Sequence, residues 1–203
     1  MKSVNINGVE VQPTKIACVG RNYVEHIKEL NNETQTEPVV FLKPNSSISS
    51  NIFTSKIEEI HYEGEICFIV KNGVIYGVGF GLDLTKRNLQ ARLKEKGLPW
   101  ERAKSFDNSA VFSEFIKCDD DIQNYRMELY INGKLKQFAN YKLMIHKPEA
   151  LVEEIQNFIT LEDDDIIMTG TPKGVGAIYS GELFTAKIVH GENVIIEKSW
   201  IAQ

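Results

Sequence analysis

The chain has 203 residues, enough to bury one full hydrophobic core, and it fits a single catalytic domain over 1–203 better than two. With 23 basic against 28 acidic residues, a net charge of -5 and no basic stripe, nucleic acid is not expected as a partner. No run of about 18 apolar residues occurs and MKSVNINGVEV holds no apolar h-region, so neither membrane spanning nor export is expected, and three unpaired, widely spaced cysteines (Cys18, Cys67, Cys118) suit reduced thiols and a cytoplasmic setting.

The first element is a hairpin. Asn7-Gly8 lies between short β-branched stretches and tolerates the positive φ of a tight turn; the same signal recurs at Asn72-Gly73, Asn132-Gly133 and Gly191-Glu192-Asn193. The expected fold class is therefore α+β and predominantly β. Arg21 follows a predicted strand. His26 and Glu29 stand i, i+3, so a short helix would place them on one face with Glu29 orienting the imidazole, as a general base requires. Asn31 to Glu37 and Lys43 to Ser55 lack apolar periodicity and read as mobile loops, with Lys43 before Pro44 able to serve loop geometry.

From His61 to Val70 the chain reads as a strand entering the core, and a period of two puts His61, Glu63 and Glu65 on one side. Neighbouring carboxylates repel, so a cation between Glu63 and Glu65 is a reason to keep both. Gly64 leaves room for close approach. The Asn72-Gly73 turn returns the run Val74 to Leu82, which ends at Asp83 and can bring that carboxylate back beside the first two. Three oxygen ligands without a neighbouring Cys point to a hard ion, Mg²⁺ first and then Mn²⁺ or Ca²⁺. The alternative is two exposed strand-end acids and an aspartate capping the next helix.

That helix is expected over Thr85 to Lys96, stopping at Gly97 with Pro99 beyond; Arg87 and Gln90 stand i, i+3 on it and would face the metal. A second helix is expected from Pro148 to Ile159, with Leu151, Ile155, Phe158 and Ile159 on one face. Glu162 to Asp165 reads as a solvated turn before a strand from Ile166 to Met168. The segment from Thr169 to Gly176 lacks the Gly-Lys-Ser/Thr ending of a phosphate loop; its glycines would instead let backbone N–H groups and the Thr171 hydroxyl approach a carboxylate.

Several of these stretches recur together in one family. Gly20-Arg21-Asn22-Tyr23 with His26 and Glu29, Phe41-Leu42-Lys43-Pro44, His61-Tyr62-Glu63-Gly64-Glu65, Leu82-Asp83-Leu84-Thr85, Lys96-Gly97-Leu98-Pro99-Trp100, Ala103-Lys104-Ser105-Phe106 and the glycine-rich run from Thr169 to Gly176 stand in family order. The chain resembles the fumarylacetoacetate hydrolase family, in particular its small single-domain branch of acylpyruvate hydrolases and oxaloacetate decarboxylase-like enzymes. The resemblance implies a central β-roll with a few peripheral helices, a homodimer, and Mg²⁺ or Mn²⁺ on Glu63, Glu65 and Asp83. It further implies His26 and Glu29 activating a water, Lys104 holding substrate oxygens, and Arg21, Arg87, Gln90 and Thr171 contacting a small 2-oxo acid. Two departures stand out: only 17 residues separate Glu65 from Asp83, where the family usually inserts a helix, and Asn88 replaces a frequent acidic residue beside Arg87. The reaction expected first is hydrolysis of the carbon–carbon bond of 3-acylpyruvates of the fumarylpyruvate or acetylpyruvate type, giving pyruvate and a carboxylic acid. Keto–enol tautomerisation or decarboxylation of oxaloacetate uses the same metal chemistry and is the alternative.

Overall fold

Both residues of each Asn-Gly pair have positive φ, 49° and 82° at Asn7-Gly8, 51° and 74° at Asn72-Gly73, and 49° and 76° at Asn132-Gly133. This is the type I′ turn, whose twist matches that of the strands it joins. The computed structural model describes residues 1–25, 37–118 and 121–203. The expected catalytic pair His26 and Glu29, and all but Glu37 of the first expected loop, lie outside the described residues.

The strands, in chain order, are β1 (Val4–Ile6), β2 (Val9–Val11), β3 (Lys15–Gly20), β4 (Val39–Pro44), β5 (Ile48–Ser49), β6 (Ile60–Tyr62), β7 (Gly64–Lys71), β8 (Val74–Asp83), β9 (Thr85–Lys86) and β10 (Ala110–Lys117). After them come β11 (Tyr125–Ile131), β12 (Lys134–Asn140), β13 (Ile166–Met168), β14 (Gly176–Ala177), β15 (Leu183–His190) and β16 (Asn193–Ile201). A large mixed sheet runs in the order β2-β1-β10-β8-β7-β13-β3-β4 with β5 beside β10; a four-stranded sheet runs β12-β11-β15-β16, and a small one β14-β6-β9. The fold is thus a curled, strand-rich one with few helices.

The β7–β8 hairpin is its centre. Every residue from Gly64 to Val70 is buried, which explains an apolar run in place of clean alternation. Ile66, Phe68, Val78, Phe80 and Leu82 pack with Met127, Leu129, Phe184, Ile188 and Trp200 of the four-stranded sheet. On the opposite face Cys67 and Ile69 join Ile16, Cys18, Phe112, Phe115 and Met168. Glycine alternates with those apolar residues along β8, and the bare face is filled by neighbours: a Cβ on Gly79 would lie 2.6 Å from the Phe115 ring, and one on Gly81 2.6 Å from Cys67 Sγ. Gly79→Ala is expected to destabilise the protein by about 1–3 kcal/mol, as overpacking does. A denaturant midpoint within error of wild type would contradict this packing.

The helices depart from expectation at their ends. The helix expected after Asp83 spans Arg87–Glu95, because Thr85 and Lys86 pair with His61 and Ile60 as β9. It stops where Gly97 turns left-handed (φ 61°): Leu98 N–H donates to Leu93 O at 2.9 Å and Gly97 N–H to Lys94 O at 3.1 Å, the paired bonds of a Schellman end. A short helix Glu101–Lys104 follows. The helix that starts at Pro148 ends at Gln156, so Leu151 and Ile155 are buried but Phe158, beyond the last helical residue, is 60% exposed instead of sharing their face.

Two expected loops are tied down. Lys43 to Ser55 completes β4, makes a 3-10 turn and forms β5, with Ile48 and Ile52 buried. The chain start consumes its polar groups: Lys2 Nζ donates to Ser46 O at 2.9 Å and Ile48 O at 2.6 Å. In the acidic run, Asp165 is fully buried rather than solvated, accepting from Thr14 N–H at 2.9 Å, Lys15 N–H at 3.0 Å and Glu162 N–H at 2.9 Å. It therefore binds the start of β3 to the start of its parallel neighbour β13.

Candidate metal centre and cleft

The chain changes sheets at Glu63, between the end of β6 and the start of β7. That break alters the expected alternation. Glu63 and Glu65 face a common point, whereas His61 turns to the surface and its Nε2 sits 2.8 Å from Glu59 Oε1. Asp83 returns along β8, its N–H donating to Glu63 O at 2.9 Å. One oxygen each from Glu63, Glu65 and Asp83 lie within 4.8 Å of one another, and all three residues are buried.

Three buried carboxylates this close need positive charge. Lys104, buried on the short helix, places Nζ 2.8 Å from Glu63 Oε2, 2.6 Å from Asp83 Oδ2 and 2.6 Å from Thr85 Oγ1. Burial works against its charged form, but Asp83 and then Glu63 outweigh that and raise its pKa. Arg87 Nη2 pairs with Glu63 Oε1 at 2.5 Å while its Nη1 donates to Gln90 Oε1 at 2.9 Å. The fully buried Lys43 lies under the site, with Nζ 2.9 Å from Asp83 Oδ1 and 2.9 Å from Ser109 Oγ, and also donating to Lys104 O. Glu65 receives less compensation. Its pKa is raised well above the carboxylate range by burial, then by Asp83 and Glu63, against the opposing Gly170 N–H that donates to its Oε2 at 2.7 Å.

These residues fit a hard divalent ion. The donor set is all oxygen, and Asp83 Oδ1 is buried with an ion-pair neighbour but no hydrogen bond directed at it. Glu63, Glu65 and Asp83 would hold the ion.

Thr171 borders the same cleft, but its hydroxyl donates to Gly64 O at 2.9 Å and accepts from Gln137 Nε2 at 2.8 Å. Gln137 was invisible to sequence reasoning: in Lys134 to Asn140 it is one polar residue among several on a strand. It is 1% exposed and its Oε1 accepts from Gly64 N–H at 2.8 Å, in the space a side chain at Gly64 would take. Asn22 is a second such brace, bonding Thr169 O at 2.8 Å and both the N–H and O of His146 at 2.7 and 3.0 Å.

The cleft is small, about 30 Å³, and is bordered by Arg21, Phe41, Glu63, Asp83, Arg87, Gln90, Lys94, Trp100 and Lys104 among others. Such a volume is on the scale of one or two waters. Larger hollows of about 600 Å³ beside the helix Pro148–Gln156 and about 650 Å³ beside β12 lack the carboxylate trio. Arg21, Arg87, Gln90 and Lys104 are therefore gathered at one place with the three acids. Lys94 and Trp100 join them without having been singled out. Lys94 is one helical turn beyond Gln90, so extending the Arg87, Gln90 face would have found it.

Comparison with known proteins places these observations. The family described as fumarylacetoacetate (FAA) hydrolase C-terminal matches residues 15–201. The chain is 36% identical over 190 residues to the oxaloacetate tautomerase YcgM of Escherichia coli, spanning 85% of this chain and 87% of that protein. It is 39% identical over 196 residues to the mitochondrial oxaloacetate tautomerase FAHD1 of Arabidopsis thaliana, covering 87% of each. Among solved structures, fumarylpyruvate hydrolase from Pseudomonas aeruginosa in complex with Mn²⁺ and pyruvate superposes with a TM-score of 0.88 at 27% identity, over 99% of this chain and 95% of that one.

Proposed function

Since the chain belongs to the fumarylacetoacetate hydrolase family, we propose that it is a divalent-metal-dependent enzyme of small 2-oxo acids whose reaction is the keto–enol exchange of oxaloacetate. The observation that carries this reading is the charge of the cleft. Glu63, Glu65 and Asp83 stand close to Lys43, Lys104, Arg87, Arg21 and Lys94, so a bound divalent ion would leave the surroundings strongly positive and suited to a dianion. The names of the relatives at 36% and 39% identity support the same choice.

Bound Mg²⁺ or Mn²⁺ would supply Lewis-acid polarisation of the 2-oxo carbonyl. The chain's own groups then divide the remaining work. Lys104, held protonated by Asp83 and Glu63, serves as a fixed positive charge beside developing negative charge and not as a base. Arg87, bridging Glu63 and Gln90, presents a guanidinium already fixed in orientation. Proton transfer at C3 is assigned to His26, because a histidine spaced i, i+3 from Glu29 has the orienting partner a general base requires; the family resemblance gives the same pair the activation of a water.

A second reading, hydrolysis of 3-acylpyruvates, is favoured by the fumarylpyruvate hydrolase neighbour. One assay series separates the two. With Mg²⁺ or Mn²⁺ present, decay of enol-oxaloacetate absorbance is expected to be accelerated without pyruvate appearing. Faster pyruvate release from acetylpyruvate or fumarylpyruvate would transfer the assignment to hydrolysis, and pyruvate from oxaloacetate would transfer it to decarboxylation.

A further inference from the structure

The helix Arg87–Glu95 presents Arg87, Gln90 and Lys94 to the cleft, at i, i+3 and i+7. Arg87 and Gln90 are engaged with each other and with Glu63. Lys94 is different. It forms no ion pair with a described residue, yet its place is fixed, because Gly97 and Leu98 close the helix end around its carbonyl and that of Leu93. Its Nζ lies 4.7 Å from the centroid of the Trp100 ring. Trp100 in turn meets Phe41, with centroids 6.1 Å apart, and Phe41 carries Lys104 Nζ at 5.2 Å. The two rings thus make a ledge with one ammonium group at the carboxylate end and another at the far end.

Arg21 completes this far end. It enters the cleft from the end of β3 with a left-handed backbone (φ 60°), uncommon for a residue with a side chain, and its Nε is buried without a hydrogen-bond partner. Burial lowers the pKa of Lys94 to about 8, followed by the charges of Arg21, Lys104 and Arg87, with Glu63 opposing. Lys94 and Arg21, crowded by these charges and with no ion pair to an acid among the described residues, are suited to an anionic ligand group. The carboxylate carbons of an extended four-carbon diacid stand roughly 4 Å apart, as the ends of any four-atom trans chain do. Lys94 and Arg21 border the same small cleft as Glu63, Asp83 and Lys104, which sets both ends of such a diacid among charged side chains.

We propose that Lys94, seated on Trp100 and assisted by Arg21, receives the second carboxylate of the substrate and so selects dicarboxylic 2-oxo acids over their monocarboxylic counterparts. The assignment rests on the reading of the cleft as a site for a 2-oxo diacid. Lys94→Met keeps the aliphatic stem over Trp100 and removes the charge, while Lys94→Arg restores charge.

The test is a calorimetric titration of Mn²⁺-loaded protein with pyruvate and with 3,3-difluoro-oxaloacetate, which has no proton at C3 and cannot enolise, together with steady-state kinetics on enol-oxaloacetate. For K94M, difluoro-oxaloacetate affinity is expected to fall about tenfold and pyruvate affinity less than about twofold. KM for enol-oxaloacetate is expected to rise about tenfold with kcat within about twofold, and K94R to recover most of the loss. The Mn²⁺-induced rise in Tm, expected to be the same in K94M and wild type, shows the metal set intact. Equal losses for both ligands, or no loss for either, would overturn the role of Lys94. If the ligand split is seen but the wild type does not speed enol–keto exchange, the reaction assignment fails and the carboxylate seat stands.

Discussion

Glu65→Gln is expected to lower metal-dependent kcat/KM by at least about 10³-fold and, with metal stripped, to give a protein more stable than the wild type. The first effect follows from losing one of three buried carboxylate ligands: if the ion contributes several kcal/mol of transition-state stabilisation, each 1.36 kcal/mol lost is about tenfold in rate. The second follows from the pKa of Glu65, raised by burial and by Asp83 and Glu63. A carboxylate whose folded pKa lies above its unfolded value of about 4.3 binds its proton more tightly in the fold. Metal-free stability is therefore fullest below that unfolded value and falls as pH rises through the folded one. Glutamine imitates the protonated form and still offers an oxygen to the Gly170 N–H, so it escapes that loss. Thermal melts from pH 4 to 8 in EDTA, and again with Mg²⁺, check both halves. A variant that retained the Mg²⁺-induced rise in Tm and turnover within tenfold of wild type would remove Glu65 from the metal site.

Lys43→Met is expected to cost about 3–5 kcal/mol, because removing one partner of a buried ion pair leaves the other charge uncompensated. Here the abandoned group is Asp83, and Ser109 Oγ and the Lys104 carbonyl lose a donor as well. Lys43→Arg should fail to rescue, since the side chain is fully enclosed and a guanidinium has a different shape and volume. Equilibrium denaturation at unchanged m-value gives the measurement. A loss below about 1 kcal/mol would mean that Asp83 is adequately supported without Lys43.

Lys43 also shows where sequence reading stops. A lysine before proline, after a strand and ahead of a polar stretch, has a local meaning as loop geometry; that it crosses beneath Asp83 is a tertiary fact with no periodic signature. Gln137 is the same case, reaching Gly64 and Thr171 from the other sheet. By contrast the Asn-Gly turns were readable because their chemistry is local, and so was the return of Asp83, since a short hairpin leaves little choice of register. The misreading of His61 came from treating residues 61 to 65 as one strand, when the chain passes from one sheet to another at Glu63. The continuous loop expected over Lys43 to Ser55 failed because contacts from Lys2 to Asn45, Ser46 and Ile48, not periodicity, give it order.

All three acids reside on the β7–β8 hairpin or at its mouth, within the short stretch from Glu63 to Asp83, whereas Arg21 and Lys94 arrive from two other elements. Inheritance can therefore treat them separately. Substitutions at the end of β3 or in the last turn of the helix Arg87–Glu95 can retune which acid is accepted while leaving the ion's holder untouched. A designer wishing to redirect this scaffold to a new substrate would keep residues 63–83 fixed and build the library at Arg21, Lys94 and Trp100.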